Sequence, residues 1–209
     1  MENGRKKKKK TLTRRGFLKS LGGGAAGVAA ASHVLGKESR SLQSAAGEME
    51  IFSRKRISMT LNGKKIGFYV ESRETLLHIL RDRLKMTGTK RTCNRGECGG
   101  CTVLLNGKPV YSCHLLAFQV DGADILTIEG LAGGDKLHPV QQAFIDKDAY
   151  QCGFCTPGVI MASVAFLDKN KQPSLEEIKS GVSGNLCRCG NYQKIYEAVS
   201  AAANDMRRG

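Results

Sequence analysis

The eight cysteines of this chain fall into two groups of four, Cys93-x4-Cys98-x2-Cys101-x11-Cys113 and Cys152-x2-Cys155-x31-Cys187-x-Cys189. Four thiolates are the ligand set of one iron–sulfur cluster. Each group therefore obliges distant stretches of backbone to converge on one point, a tighter demand on the fold than any apolar run makes. The count leaves no cysteine over, and the pattern points to an electron carrier with two metal sites in series. The first group has the plant-type ferredoxin spacing of a 2Fe-2S site, three ligands on one tight loop and a fourth from a neighbouring segment. Gly96, Gly99 and Gly100 lie among these ligands. They are expected to supply positive φ angles and amides free to bond sulfur. Asn94, Arg95 and Glu97 are expected to face solvent or a partner.

The second group sits in Gln151-Cys152-Gly153-Phe154-Cys155-Thr156-Pro157-Gly158 and Gly184-Asn185-Leu186-Cys187-Arg188-Cys189-Gly190-Asn191-Tyr192, two loops that have to meet. Cys187 and Cys189 are too close along the chain for an unstrained mutual disulfide, but they can offer two thiolates to one metal centre. Three other uses of such cysteines compete: a disulfide framework, which an even count in an exported chain allows; a four-cysteine zinc site; and a Rieske centre, which needs two histidines. Glycine-lined ligand loops and a chain long enough to build its own core argue against the first. Of His33, His78, His114 and His138, only His114 adjoins a ligand, and it has no second histidine beside it. Colour separates the rest, since iron–sulfur protein is brown and the zinc and disulfide forms are colourless.

The net charge of +14 misrepresents the body of the chain. Residues 1–47 hold eleven Lys and Arg against two acids, which leaves only +5 for the remainder. The run Lys6–Lys10 precedes Thr13-Arg14-Arg15-Gly16-Phe17-Leu18-Lys19 and a Gly/Ala-rich, weakly apolar stretch from Leu21 to about Ala31. This is the order of a twin-arginine export signal, and cleavage is expected after Ala31 or Ala46. No aromatic-interleaved basic patch follows, so no nucleic-acid partner is expected. The stretch is too short to span a bilayer, which takes roughly 20 apolar residues, so no permanent membrane anchor is expected either. Cysteine ligation couples metal to folding, and export of an already folded, loaded protein to the periplasm is the expected route.

Beyond the signal, Ile57, Met59 and Leu61 alternate with polar residues, as do Ile66, Phe68 and Val70, with Asn62-Gly63 between them. That is a hairpin signature. Glu74–Leu84 carries apolar residues at 76, 77, 80 and 84, one helical face. Thr102–Leu105, Asn106-Gly107 and Val110–Cys113 predict a second hairpin, and Ile125–Ile128 a closing strand. A glycine-rich link, Gly130–Asp135, marks the boundary between a domain at 51–130 and another at 135–209. Helices are predicted at about 138–147, 157–169, 174–182 and 192–203, the third opened by a Ser174/Glu177 capping box. Val159, Ile160, Ala162, Val164, Phe166 and Leu167 are its neighbour's core face. The fold class is α+β, and the four helices are expected to bring the two cysteine pairs together at one end of a bundle.

With both cysteine groups and their flanking loops in view, the chain resembles the small iron–sulfur subunit of the xanthine oxidase family of molybdenum hydroxylases over about residues 51–203. With its twin-arginine signal it is similar to periplasmic aldehyde oxidoreductase and isoquinoline 1-oxidoreductase small subunits. The resemblance implies a β-grasp ferredoxin-like domain followed by a four-helix-bundle 2Fe-2S domain. It also implies an inner 2Fe-2S cluster on Cys152, Cys155, Cys187 and Cys189, and an outer one on Cys93, Cys98, Cys101 and Cys113. Gln151 would contact the pterin, and Cys189 would lie beside the pterin amine. Thr92 departs from the glycine often found before the first ligand, which bears on the shape of that loop. Implied partners are a large molybdopterin-binding subunit, which holds the molybdenum cofactor and the substrate site, and a flavin (FAD) subunit or a cytochrome as acceptor. The chain would relay electrons during oxidation of an aldehyde or N-heteroaromatic substrate and hold no catalytic residue itself. The competing reading is a free-standing ferredoxin-like carrier or redox sensor.

Overall fold

Both Asn-Gly dipeptides sit at hairpin turns. Asn62, Gly63, Asn106 and Gly107 all have positive φ, the conformation that a two-residue turn matched to strand twist demands. In the computed structural model, which describes residues 54–208, the first turn joins β1 (Lys55–Leu61) to β2 (Lys64–Val70) and the second joins β3 (Thr102–Leu105) to β4 (Lys108–Tyr111). The expected export signal and linker at 1–47, His33 included, lie outside the described residues. The closing strand β5 is Asp124–Leu126, shorter than expected because Ile128 has already entered a 3₁₀ turn. β5 does not close an edge. It inserts between the hairpins in the order β2-β1-β5-β3-β4, parallel to β1 and antiparallel to β3.

Side-chain alternation then distributes the core. Ile57, Met59 and Leu61 on β1, Ile66, Phe68 and Val70 on β2, and Val103 and Leu105 on β3 gather on one face, with Ile125 of β5. Their neighbours Leu104 and Leu126 turn to the other face and join the helical core. The sheet is thus covered on both sides at β3 and β5 but on one side along the first hairpin, where Arg56 and Ser58 are exposed.

Helix α1 lies over the first face. It begins at Leu76, capped by the Thr75 hydroxyl, which accepts from the His78 amide. The regular α-helix expected over Glu74–Leu84 is only one turn, Leu76–His78, which widens into a π-helical turn, Ile79–Arg83. Four apolar residues in five positions, Leu76, Leu77, Ile79 and Leu80, are all fully buried. Leu76, Ile79 and Leu80 enter the core of the sheet, whereas Leu77 packs with Cys101 and Cys113.

The other face is covered by four helices: α2 (Pro139–Asp146), α3 (Thr156–Lys169), α4 (Leu175–Gly181) and α5 (Tyr192–Arg208). α3 packs on β3 and β4, and α5 packs on α2 and α4. α5 runs five residues past its expected end at 203. Its buried stripe Ile195, Ala198, Val199, Ala202 and Ala203 has the spacing of one helical face, and the small alanines let α5 approach its neighbours closely. The Ser174/Glu177 capping box forms as expected, the Glu177 amide donating to the Ser174 hydroxyl and the Ser174 amide to the Glu177 carboxylate. His138 caps α2 with its ring nitrogen. Among the described residues no helix is long and apolar enough to cross a membrane.

Phe144 is fully buried in the helical core. Replacing it by alanine is expected to lower stability by about 3–5 kcal/mol, whereas Ser174→Ala, which removes a cap on an exposed turn, is expected to cost about 1 kcal/mol. Denaturant titration of the purified protein measures both.

Candidate metal centres

The loop that carries the first cysteine group is clamped by helix α1. The Arg81 guanidinium donates to the Thr87 and Thr89 carbonyls, both at 2.7 Å, and Asp82 pairs with Arg91. The Lys90 amide reaches the Gly100 carbonyl at 3.3 Å, closing the loop on itself. Cys113 comes from a 3₁₀ turn, Ser112–His114, at the end of β4, instead of from the strand. Leu77, Cys101 and Cys113 form a small buried cluster roofed by Tyr111. The helix that covers the sheet therefore also walls the candidate centre.

All eight thiols are free. In the first group the side chains meet as Cys93 with Cys98 and Cys101 with Cys113. In the second they meet as Cys152 with Cys189, 3.5 Å between sulfurs, and Cys155 with Cys187. The second pairing crosses between the two sequence motifs, joining one cysteine of each, and motif spacing alone gave no sign of it. A sulfur separation of 3.5 Å is well beyond a disulfide bond of about 2.05 Å. Among the described residues no three ligating side chains converge on a single point. Two pairs of thiols per group suit a dinuclear cluster, in which each iron takes two.

The surroundings of the sulfurs fit the same group. The Gly96 amide donates to the Cys113 sulfur at 3.2 Å and the Arg95 amide to the Cys93 sulfur at 3.4 Å. Gly96 and Gly99 have the expected positive φ. Gly100 does not; its lack of a side chain serves instead to clear the Thr92 hydroxyl, so a threonine where the family often has glycine is accommodated by the glycine opposite. Burial opposes ionisation of Cys93, but the amides of Glu97 and Arg95 and the Cys98 thiol outweigh it and bring its pKa to about 6. Burial pushes Cys101 and Cys155 up to about 12, helped in each case by the partner thiol, Cys113 or Cys187. Thiols held that high become thiolates at neutral pH only beside a strong positive charge, which bound iron supplies. The hydroxyls of Thr89 and Thr156, buried close in sequence to the cysteine loops, have no hydrogen-bond partner among the described residues, and a buried hydroxyl calls for one.

Gln151 is exposed, next to the exposed Cys152, with the exposed Cys189 against Cys152. Asn94, Arg95 and Glu97 are exposed as expected. His114 is exposed beside Gly96, and His78 bridges Glu74 and Asp82.

The two centres are held close by backbone contact. Gly158, in the first turn of α3, lies against the Gly99 carbonyl and Gly100, where even one methyl group would collide.

A mixed sheet with four thiols in the segments just before β3 and just after β4, backed by a helical layer with four more, defines an iron–sulfur protein of the ferredoxin class. The 2Fe-2S iron-sulfur cluster binding domain family matches residues 59–126, and the [2Fe-2S] binding domain family matches residues 127–200. The chain is 47% identical over 70% of its length to the nicotinate dehydrogenase small FeS subunit of Eubacterium barkeri, of which it covers 93%. It is 42% identical to the aldehyde oxidoreductase iron-sulfur-binding subunit PaoA of Escherichia coli K12, over 72% of each chain. Among solved structures, quinoline 2-oxidoreductase from Pseudomonas putida 86 matches with a TM-score of 0.72 and 45% identity, over 75% of this chain and 98% of that one. The chain belongs to the small iron–sulfur subunits of the xanthine oxidase family of molybdenum hydroxylases.

Gly158→Ala is expected to cost about 2 kcal/mol by overpacking, a fall of about 6 °C in melting temperature for a chain of this size. Gly133→Ala, at an ordinary φ with open space around it, is expected to leave the melting curve unchanged. Thermal unfolding followed by visible absorbance compares the two.

Proposed function

We propose that this chain is the electron-transfer subunit of a molybdenum hydroxylase complex. It would relay electrons from a molybdopterin site on a large partner subunit, by way of two 2Fe-2S clusters, to a flavin subunit or a cytochrome. Cys152, Cys155, Cys187 and Cys189 would hold the inner cluster and Cys93, Cys98, Cys101 and Cys113 the outer one. When bound, each cluster supplies one reversible one-electron site. The observation that carries this reading is the unequal exposure of the second group: Cys152 and Cys189 lie at the surface while Cys187 is buried.

An exposed ligand pair is wasteful in a carrier that has only to shield its metal, and it suits a centre that another subunit covers. Tyr150, Phe154 and Leu186 are 45%, 46% and 55% exposed, each within a few residues of a second-group cysteine. Exposed large apolar side chains of this kind are the usual material of a protein interface. Gln151, an amide donor and acceptor at the same edge, is placed to meet a polar ligand such as a pterin held by the partner. The substrate, an aldehyde or an N-heteroaromatic ring, would be oxidised in the large subunit. Residues 51–130 and 135–209 are the two domains of this relay.

The basic twin-arginine signal at the N-terminus supports assembly in the cytoplasm and export to the periplasm. Replacing Arg14 and Arg15 by lysine is expected to leave the protein in the cytoplasmic fraction. Equal amounts in the periplasmic fraction of native and variant cells overturn the export reading.

Cys189→Ser is expected to lower iron from about four to about two per chain and to abolish one of two paramagnetic signals in the reduced complex, the large subunit still copurifying. Loss of both signals together contradicts two independent centres. A native chain that purifies alone, with no molybdenum-containing partner, supports the free carrier instead.

A further inference from the structure

The two cysteine groups are joined by a short hydrogen-bonded seam that neither group needs for its own ligands. Residues 184–186 lie against residues 98–102. The Leu186 amide donates to the Cys98 carbonyl at 2.9 Å, so a single hydrogen bond and one peptide link separate Cys187 from Cys98. Leu186 itself is 55% exposed, and its side chain does little to hold this amide in place. Two neighbouring side chains pin the seam. Asn185, only 5% exposed, donates from its amide to the Gly99 carbonyl at 2.8 Å and to the Thr102 hydroxyl at 3.2 Å. The Thr102 hydroxyl in turn donates to the same Gly99 carbonyl at 2.6 Å. On the other side the Tyr111 hydroxyl donates to the Gly184 carbonyl at 2.8 Å.

The glycines show that this arrangement is built. A side chain at Gly99 would strike Asn185, and one at Gly184 would strike the Tyr111 hydroxyl. Tyr111 also roofs the buried Cys101 and Cys113, so its ring belongs to one centre while its hydroxyl grips the loop of the other.

We infer that Asn185 and Tyr111 are positioning residues, a latch that fixes the Leu186–Cys98 contact and with it the electronic coupling between the two cysteine groups. The inference rests on the two-cluster reading above. In the step it governs, one electron leaves the inner cluster, which is oxidised, and enters the outer cluster, which is reduced; no bond forms or breaks and no proton moves. Asn185 touches no cysteine sulfur, and the Tyr111 hydroxyl, the group the latch uses, bonds the Gly184 carbonyl. They act by keeping two backbone segments at a set separation, and a polar contact of this kind shields the Leu186 amide from solvent as long as it holds.

The test uses the assembled complex with Asn185→Ala and Tyr111→Phe made separately. Three quantities are measured: iron per chain, low-temperature paramagnetic resonance of the fully reduced protein, and hydrogen exchange at the Leu186 amide by mass spectrometry. Iron is expected to stay at about four per chain. Exchange at Leu186 is expected to rise about tenfold, the scale of one lost buried hydrogen bond. The spin–spin splitting between the two reduced centres is expected to shrink while each centre keeps its own g values, a change that general loosening of the fold does not produce. Native splitting in both iron-replete variants overturns the inference. Should Asn185→Ala lose iron, Tyr111→Phe, which keeps the ring, decides: unaltered splitting and exchange there overturn the latch. Fewer than about four irons in the native chain removes the two-cluster reading, and this inference with it.

Discussion

The regions that carry the two cysteine groups meet at positions that only glycine fits. Gly158 at the start of α3 lies on the carbonyl of Gly99, and Gly184 clears the hydroxyl of Tyr111. Glycine is the residue that permits such an approach of backbone to backbone. Because the contact is between main chains, its geometry cannot be adjusted by rotating a side chain, and the separation of the two centres follows from the packing of α3 on β3 and β4. The sheet, the helix and both sets of ligands are thereby one mechanical unit.

Around that contact the thiols are graded by solvent. Cys101, Cys113 and Cys187 are buried, Cys93, Cys98 and Cys155 half-buried, and Cys152 and Cys189 exposed. Burial raises Cys101 and Cys155, whereas backbone amides aimed at Cys93 overcome burial and lower it. A folded chain of this kind stores an electrostatic demand for cations at its ligand loops. The exposed pair, Cys152 and Cys189, stands open to solvent, with Tyr150, Phe154 and Leu186 exposed nearby in sequence. The walled end, enclosed by α1 and Tyr111, is suited to holding a centre away from water.

Much of the architecture was legible because its signals are local. Asn-Gly between alternating runs gave both hairpins, and the Ser174/Glu177 box gave the start of α4. The cysteine spacings pointed to 2Fe-2S chemistry, and the matching families are two 2Fe-2S binding domains in succession. The misreadings share one cause. Glu74–Leu84 has a 3.6-residue apolar period at 76, 77, 80 and 84, yet Ile79 is buried as well, Leu76, Ile79 and Leu80 entering the sheet core and Leu77 the cysteine cluster, over a widened turn. Ile128 looked like strand, but its partner face belongs to the helices, and the strand stops at Leu126. Gly100 was assigned a turn conformation when its role is clearance.

What the sequence determined by itself is element order, turn positions and the iron–sulfur class of the chain, since cysteine spacings, glycines and turn dipeptides carry their constraints within a few residues. Tertiary structure alone decided three things: the insertion of β5 between the hairpins, the crosswise pairing of Cys152 with Cys189 and Cys155 with Cys187, and the pinning of residues 184–186 on 98–102. Each of these joins segments tens of residues apart. Such contacts depend on which faces are left to bury once local elements have formed, and that quantity has no expression in a short window of sequence.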